Sequence, residues 1–352
     1  MVHGRRHAQA DRGETARPAP PPKAGRPVPH GRRRRGRVNL DPPPPLRFPV
    51  RLPVPDLRPW RAGNLLPGVW SFAAEAPGPH VALLSLVHGN EIAGALLLSR
   101  WLAEGLRPRR GRLTLAFANL DAFDRFDPSD PTLSRYVDED LNRLWGRAAL
   151  DGPRDSAELR RARALRPLLD TVDVLLDLHS MLWPSDPLLL SGRTRKAQPL
   201  ARALGVPGLV VADAGHADGL RLIDYGPFAD TASPARALLV EGGPHWEPET
   251  PPRLEACALA LLRETGLLDG PRPGGPPSAL WQVTRTVIAN SRNFVFLQDY
   301  RGGTVIPERN TLIALDGEAE IRTPHDDCLL VMPSPCVLRG HTAVRLARRV
   351  EG

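Results

Sequence analysis

The 352-residue sequence predicts an α/β fold, a layered sheet with helices, followed by a small C-terminal β-rich domain. Three observations carry that prediction. Between about residues 65 and 270, short apolar runs bounded by Gly, Pro or charge alternate with stretches whose apolar residues recur at helical spacing. A Pro/Gly segment, GPRPGGPP, follows at 270–277. After it only short strand-like runs punctuated by turns remain. Strands alternating with helices imply a layered α/β sheet, and the change of pattern implies a second unit.

In chain order, HVALLSLV from His80, RLTLAFANL from Arg112, VDVLLDLHS from Val172, GLVVAD from Gly208 and ARALLVEGG from Ala235 read as buried strands. IAGALLLSRWLAEGL from Ile92, SAELRRARALRPLLDTV from Ser156 and residues 251–268 read as helices. Beyond the linker, WQVTRTVIA, NFVFLQDY, TLIALDG, CLLVMP and TAVRLARRV read as short strands. The resulting organisation is a Pro/Arg-rich tail over 1–60, an α/β domain over 61–270, and a linker with a β domain over 271–352.

The formal net charge is +8, but its location decides what it means. Residues 1–40 hold 11 Lys/Arg and 2 Asp/Glu; the other 312 residues carry 36 basic and 37 acidic side chains. Basicity therefore belongs to the tail, and the body shows no general surplus for a nucleic-acid surface. The tail, with PAPPPK, RRRRGR and DPPPP, has too few apolar residues to offset the entropy of ordering. It reads as a disordered, solvated segment, or as residues translated upstream of the true start. Three cysteines, Cys257, Cys328 and Cys336, without CxxC spacing argue against a disulfide framework and for a reducing compartment. No apolar run reaches the ~20 residues that span a bilayer, and no apolar core of a secretory signal follows the N-terminal arginines. A soluble, cytoplasmic protein is expected.

Chemistry concentrates where the strands end. The stretch SLVHGNEIAGA ends an apolar run in His88, with Glu91 three residues on, where strand passes into helix. Open α/β sheets bind ligands at the C-terminal ends of their strands. The next such junction, DLHS, supplies His179. A His-Glu-His set with one coordination position left for water suits a catalytic zinc site. Between the junctions, RYVDEDLNR is too charged for an ordinary amphipathic element. In it, Asp140 could orient a ligand histidine, and Asn142 and Arg143 could grip a substrate carboxylate, Arg143 through its planar fork. A third apolar run stops at Glu241, in VEGG.

HGNE, RYVDEDLNRLW, DLHS and VEGG, in that order over about residues 80–245, together resemble the succinylglutamate desuccinylase/aspartoacylase family, which groups with the zinc carboxypeptidases. The resemblance implies a zinc-carboxypeptidase-like α/β/α domain with a mixed central sheet. It also implies a zinc-dependent deacylase that cleaves the amide bond of an N-acyl amino acid. Carried over residue by residue, one Zn²⁺ per chain would be held by His88, Glu91 and His179. Arg135 would polarise the scissile carbonyl, Asn142 and Arg143 would bind the substrate carboxylate, and Asp140 would hydrogen-bond a ligand histidine. Glu241 would be the general base that activates water and later protonates the leaving amine.

One feature departs from the family pattern. A further arginine is expected about ten residues before the catalytic glutamate, where this chain has Thr231; Arg236 and Arg221 are the nearest substitutes. The second carboxylate anchor is therefore unmatched, and neither N-acetylaspartate nor succinylglutamate is assigned. WPSDP (183–187) and the C-terminal domain are expected to shape or cover the pocket. His245, His341 and the His325-Asp326-Asp327 run read as pocket-edge, surface or turn residues. Two other functions use the same residues: a zinc carboxypeptidase acting on peptides, and a non-catalytic binding protein with a structural zinc whose basic tail meets nucleic acid. A structural zinc normally takes four protein ligands, and the sequence offers three.

Overall fold

The computed structural model describes residues 46–216, 218–271 and 276–351. The expected disordered tail falls outside the described residues up to position 45. Its remainder differs from expectation: Leu52 and Leu57 are buried, Phe48 packs on Trp183 and Trp246, and the Arg51 N–H donates to the Trp246 carbonyl at 3.1 Å. An extended segment can bury isolated apolar side chains without showing any periodicity, so composition alone placed the tail boundary too late.

Among the described residues fourteen strands form. They are β1 (Val69–Ala73), β2 (His80–Ser85), β3 (Arg112–Phe117), β4 (Val174–Met181), β5 (Leu188–Leu190), β6 (Leu209–Ala212) and β7 (Arg236–Pro244), then β8 (Ala279–Ile288), β9 (Phe294–Phe296), β10 (Val305–Ile306), β11 (Leu312–Asp316), β12 (Ala319–Arg322), β13 (Cys328–Val331) and β14 (Thr342–Arg349). Eleven make one mixed sheet in the order β1-β3-β2-β4-β7-β5-β6-β8-β14-β13-β10; β12-β11-β9 form a small separate sheet. Neighbours β3, β2, β4 and β7 run parallel, whereas β5 is antiparallel to β7. β8 pairs parallel with β6, so the C-terminal strands continue the central sheet across the Pro/Gly segment.

The apolar strands are explained by burial on both faces. Val81, Leu83, Leu176 and Val240 pack on one side with the helices Ile92–Ala103 and Thr250–Glu264. Ala82, Leu84, Leu175 and Leu239 pack on the other with the helix Ala157–Leu169. Successive residues thus serve opposite layers, giving an α/β/α arrangement. Removing one such fully buried leucine typically costs about 2–5 kcal/mol. Strands β1 and β5 escaped the sequence reading because they are short, and β1 alternates only partly buried positions.

Candidate metal centre and active site

The parallel strands β2, β4 and β7 deliver their C-terminal ends to one place. After β2 the chain turns through Leu86, a buried non-glycine residue at φ +56°. Such a conformation persists only where the surroundings hold it; here the Leu86 carbonyl accepts the Asn119 N–H at 2.8 Å. Gly89 comes next for a steric reason, since a Cβ there would lie 2.5 Å from the Phe123 nitrogen and the Ser134 carbonyl oxygen. The Gly89 N–H donates to the Arg135 carbonyl at 3.1 Å, tying the HGNE turn to the charged loop. Glu91 stands at the start of the Ile92–Ala103 helix but makes no capping bond. Its carboxylate turns to the two histidines instead.

His88 Nδ1 lies 2.6 Å from Glu91 Oε1, and His179 Nδ1 lies 3.0 Å from Glu91 Oε2. One ligand atom from each residue falls within 4.8 Å of the others, and all three side chains are buried. The outer nitrogens face carboxylates: His88 Nε2 is 3.0 Å from Asp140 Oδ1, and His179 Nε2 is 2.8 Å from Asp177 Oδ2. Asp140 also accepts the Asn142 N–H at 2.8 Å, which fixes its own position. Arg135 reaches the same corner, with Nη2 3.3 Å from Asp140 Oδ2 and 2.9 Å from His88 Nε2. A carboxylate behind an imidazole favours the outer N–H and leaves the inner nitrogen its lone pair.

The residues fit a divalent cation on two grounds. Their donor set, two imidazole nitrogens and a carboxylate, is a common one for catalytic zinc. In addition, Glu241 Oε2 is buried without a hydrogen-bond partner. An uncompensated buried carboxylate is costly, and a cation beside it answers that cost. Burial alone would push the Glu91 carboxyl up, but the imidazoles of His88 and His179 outweigh it and hold it well below the ordinary range. Burial also opposes the charge on Asp140, and His88, Arg135 and Arg143 reverse the effect, so its pKa falls.

Glu241 sits on β7 directly opposite His179 on β4. The register slips just beyond, at Gly242-Gly243, where Gly243 has φ +135°. Burial pushes the Glu241 carboxyl well above its usual range, and the nearby Glu91 adds to this. His245 is buried, not on the surface; its Nδ1 lies 2.8 Å from Ser180 Oγ, and burial pushes it down to about 4.

The pocket in front of these groups is a cavity of 620 Å³, within the range of small-ligand sites. Asn142 and Arg143 line it. The Asn142 side-chain oxygen Oδ1 accepts the Leu222 N–H at 2.8 Å, which leaves the side-chain NH₂ as the donor available to a ligand. Leu182 and Trp183, at and before WPSDP, give the wall an apolar part, Met332 and Pro333 come from the turn after β13, and Arg345 comes from β14. His341 also lines the cavity, whereas His325 is spent on Thr284 and the Asp326 carbonyl. Of the substitutes for the unmatched arginine, Arg236 starts β7 beside Val174, at the far end of the strands from Glu241. Arg221 lines the pocket, but its fork is filled: Nη1 and Nη2 go to Asp213, and Nε goes to Asp224.

Sequence reasoning passed over several residues. Asp177 shares a strand face with His179 by the two-residue repeat, a signal that was present in DLHS. Glu158 carried none, because a glutamate in the first turn of a helix is ordinary. Yet it is fully buried, accepting the Asn119 amide and the N–H groups of Val137, Asp138 and Glu139 at 2.7–3.2 Å.

Residues 77–213 match the family profile of the succinylglutamate desuccinylase/aspartoacylase catalytic domain. Over this segment the chain is similar to the succinylglutamate desuccinylase/aspartoacylase family. Among curated relatives, rat aspartoacylase is 31% identical over 121 residues, 31% of this chain and 36% of that protein. A Xenopus laevis N-acyl-aromatic-L-amino acid amidohydrolase (carboxylate-forming) is 31% identical over 113 residues, 30% of this chain and 35% of its own length. The chain thus spans about a third of the curated relatives it matches. Likeness of fold extends further. A succinylglutamate desuccinylase from Vibrio parahaemolyticus superposes with a TM-score of 0.62 at 20% identity, covering 81% of this chain and 87% of that one. Murine aminoacylase 3 does so with a TM-score of 0.55 at 21% identity, covering 79% and 97%. The matched segment contains His88, Glu91, Arg135, Asp140, Asn142, Arg143 and His179; Glu241 and Arg345 lie beyond it.

Proposed function

We propose that the protein is a zinc-dependent hydrolase of N-acyl amino acids, with the metal held by His88, Glu91 and His179. The observation that carries this reading is the convergence of those three buried side chains beside Glu241 in a small cavity. Zinc bound there would act as a Lewis acid and bring the pKa of water towards ~7. Arg135 donates N–H groups to the acyl oxygen as charge builds on it. Asn142, through its free NH₂, and Arg143 hold the carboxylate of the amino acid. Glu241 takes a proton from the attacking water and passes it to the nitrogen as the C–N bond breaks, leaving a carboxylate and an amine. Burial that favours the protonated carboxyl suits a group that must carry a proton between two steps.

The test is amine release from a panel of N-acyl amino acids by zinc-loaded protein, with Glu241→Gln as the control. Turnover lost in the control supports the reaction and names the acyl and amine preferences. Silence across the panel in protein with bound zinc would overturn the reading.

A further inference from the structure

One end of the pocket is more basic than its internal ion pairs can use. Asp213 is fully buried between two arginines, and Arg221 takes both of its oxygens, at 2.7 and 3.1 Å. Asp224, the other acid of this cluster, accepts Arg221 Nε at 2.8 Å and the Arg193 N–H at 3.2 Å. Arg345, reaching in from β14, is left over. It is 6% exposed and its Nε lies 3.5 Å from Asp213 Oδ2, yet Nε makes no hydrogen bond. Among the described residues its side chain's one hydrogen-bond partner is His216, whose ring nitrogens lie 3.0 and 3.3 Å from Nη2. That imidazole brings no negative charge. Burial, with Arg345, Arg143 and Arg221 close by, pushes it down to about 3, so it is neutral and offers the guanidinium only the lone pair of one ring nitrogen. Arg143 lines the same cavity; its Nη1 donates to the Asn142 backbone carbonyl at 2.8 Å and lies 3.8 Å from Asp140 Oδ2, while Nη2 and Nε make no such contact among the described residues. Two guanidinium groups therefore face one cavity with donors to spare.

We propose that Arg345 and Arg143 form a carboxylate-binding clamp, so that the C-terminal strand β14 supplies a substrate-binding residue to the catalytic domain. A planar fork with unspent N–H groups pairs with a carboxylate, and low exposure strengthens that pairing. Arg221, saturated by its own acids, serves as the support that holds Asp213 and Asp224 beside the clamp. The clamp deepens the N-acyl amino acid reading and rests on it for the identity of the carboxylate bound.

The experiment uses two readouts on the full chain. In metal-free protein, succinate is titrated and followed by thermal shift, so that no metal can bind the probe. In zinc-loaded protein, KM and kcat are measured for the best N-acyl amino acid of the panel. Arg345→Gln should abolish the succinate shift and raise KM by about tenfold or more, the loss of one charged hydrogen-bonded pair, with kcat within about threefold. Arg345→Lys, which keeps the charge beside Asp213, should give intermediate values on both readouts. If the glutamine variant does not fold, the lysine variant carries the test alone. Unchanged KM and an unchanged succinate shift in the variants that fold would overturn the clamp. Succinate binding that depends on Arg345, in protein that hydrolyses no N-acyl amino acid, would keep the clamp and remove the proposed reaction.

Discussion

Asp177 and His179 stand two residues apart on β4, and the aspartate Oδ2 lies 2.8 Å from the histidine Nε2. The strand repeat puts both side chains on the face that meets Glu91 and Glu241, so the pair is a direct product of the DLHS sequence. At that distance the carboxylate holds a proton on the outer nitrogen and keeps the inner one free for a cation.

Asp177→Asn should therefore weaken zinc binding by about 10–100-fold while leaving the fold intact. Competition against a chromophoric chelator measures it. Zinc at about a hundred times its Kd stabilises a protein by roughly 2.7 kcal/mol, so the wild type should also melt higher with zinc than without. The variant should show a smaller rise at the same zinc concentration. Equal zinc affinity in the two proteins would remove Asp177 from the site.

Arg135 presents Nη1 3.4 Å from Glu91 Oε1 and Nη2 3.3 Å from Asp140 Oδ2, at the mouth of the metal site. In the proposed reaction it meets a growing negative charge. Arg135→Met should lower kcat by roughly 10²–10³, the usual loss for one oxyanion donor, with a smaller change in KM. Zinc content, measured by elemental analysis, should stay at the wild-type level. A variant with full kcat would show that the acyl oxygen is stabilised elsewhere.

Glu158 sits outside the pocket and still governs it. Its carboxylate collects three backbone N–H groups from residues 137–139, in the segment between Arg135 and Asp140. Glu158→Gln turns an NH₂ group toward those donors. The expected cost is roughly 2–3 kcal/mol of stability, read by urea unfolding, because buried N–H groups lose their acceptor. Activity should fall further than stability explains, with both kcat and KM affected, since Arg135, Asn142 and Arg143 share that loop. A stable variant with normal kinetics would contradict this.

What could be read from the sequence and what could not divide along physical lines. Strands β2, β4 and β7 were legible because burial on both faces makes them continuous apolar runs. His88, His179 and Glu241 were legible because each interrupts such a run with a titratable side chain. Arg345 was not, because TAVRLARRV contains three arginines with nothing to distinguish them. Only the pairing of β14 with β8, and of β8 with β6, carries that strand back to the pocket. Glu158 was hidden for a similar reason: three of its partners are backbone groups 19–21 residues earlier, and backbone leaves no mark in a sequence.

His80, at the opposite end of β2 from the site, gives the fold a dependence on acid. Its Nε2 pairs with Thr114 Oγ1 at 2.8 Å and its Nδ1 lies 3.1 Å from the Thr171 carbonyl. Burial pushes its pKa below the ordinary 6.5, and Arg112 nearby adds to the fall. The unfolded chain then binds a proton at His80 below pH 6.5 that the folded chain refuses. Stability contributed by the neutral imidazole is complete above that pH and is lost as pH falls toward the folded pKa. His80→Gln keeps a polar group between the two threonines but cannot titrate. Urea midpoints from pH 7.5 to 5 should fall less steeply for the variant than for the wild type, even though the variant starts lower. Parallel slopes would mean that the imidazole takes up its proton in the folded protein as readily as in the unfolded chain.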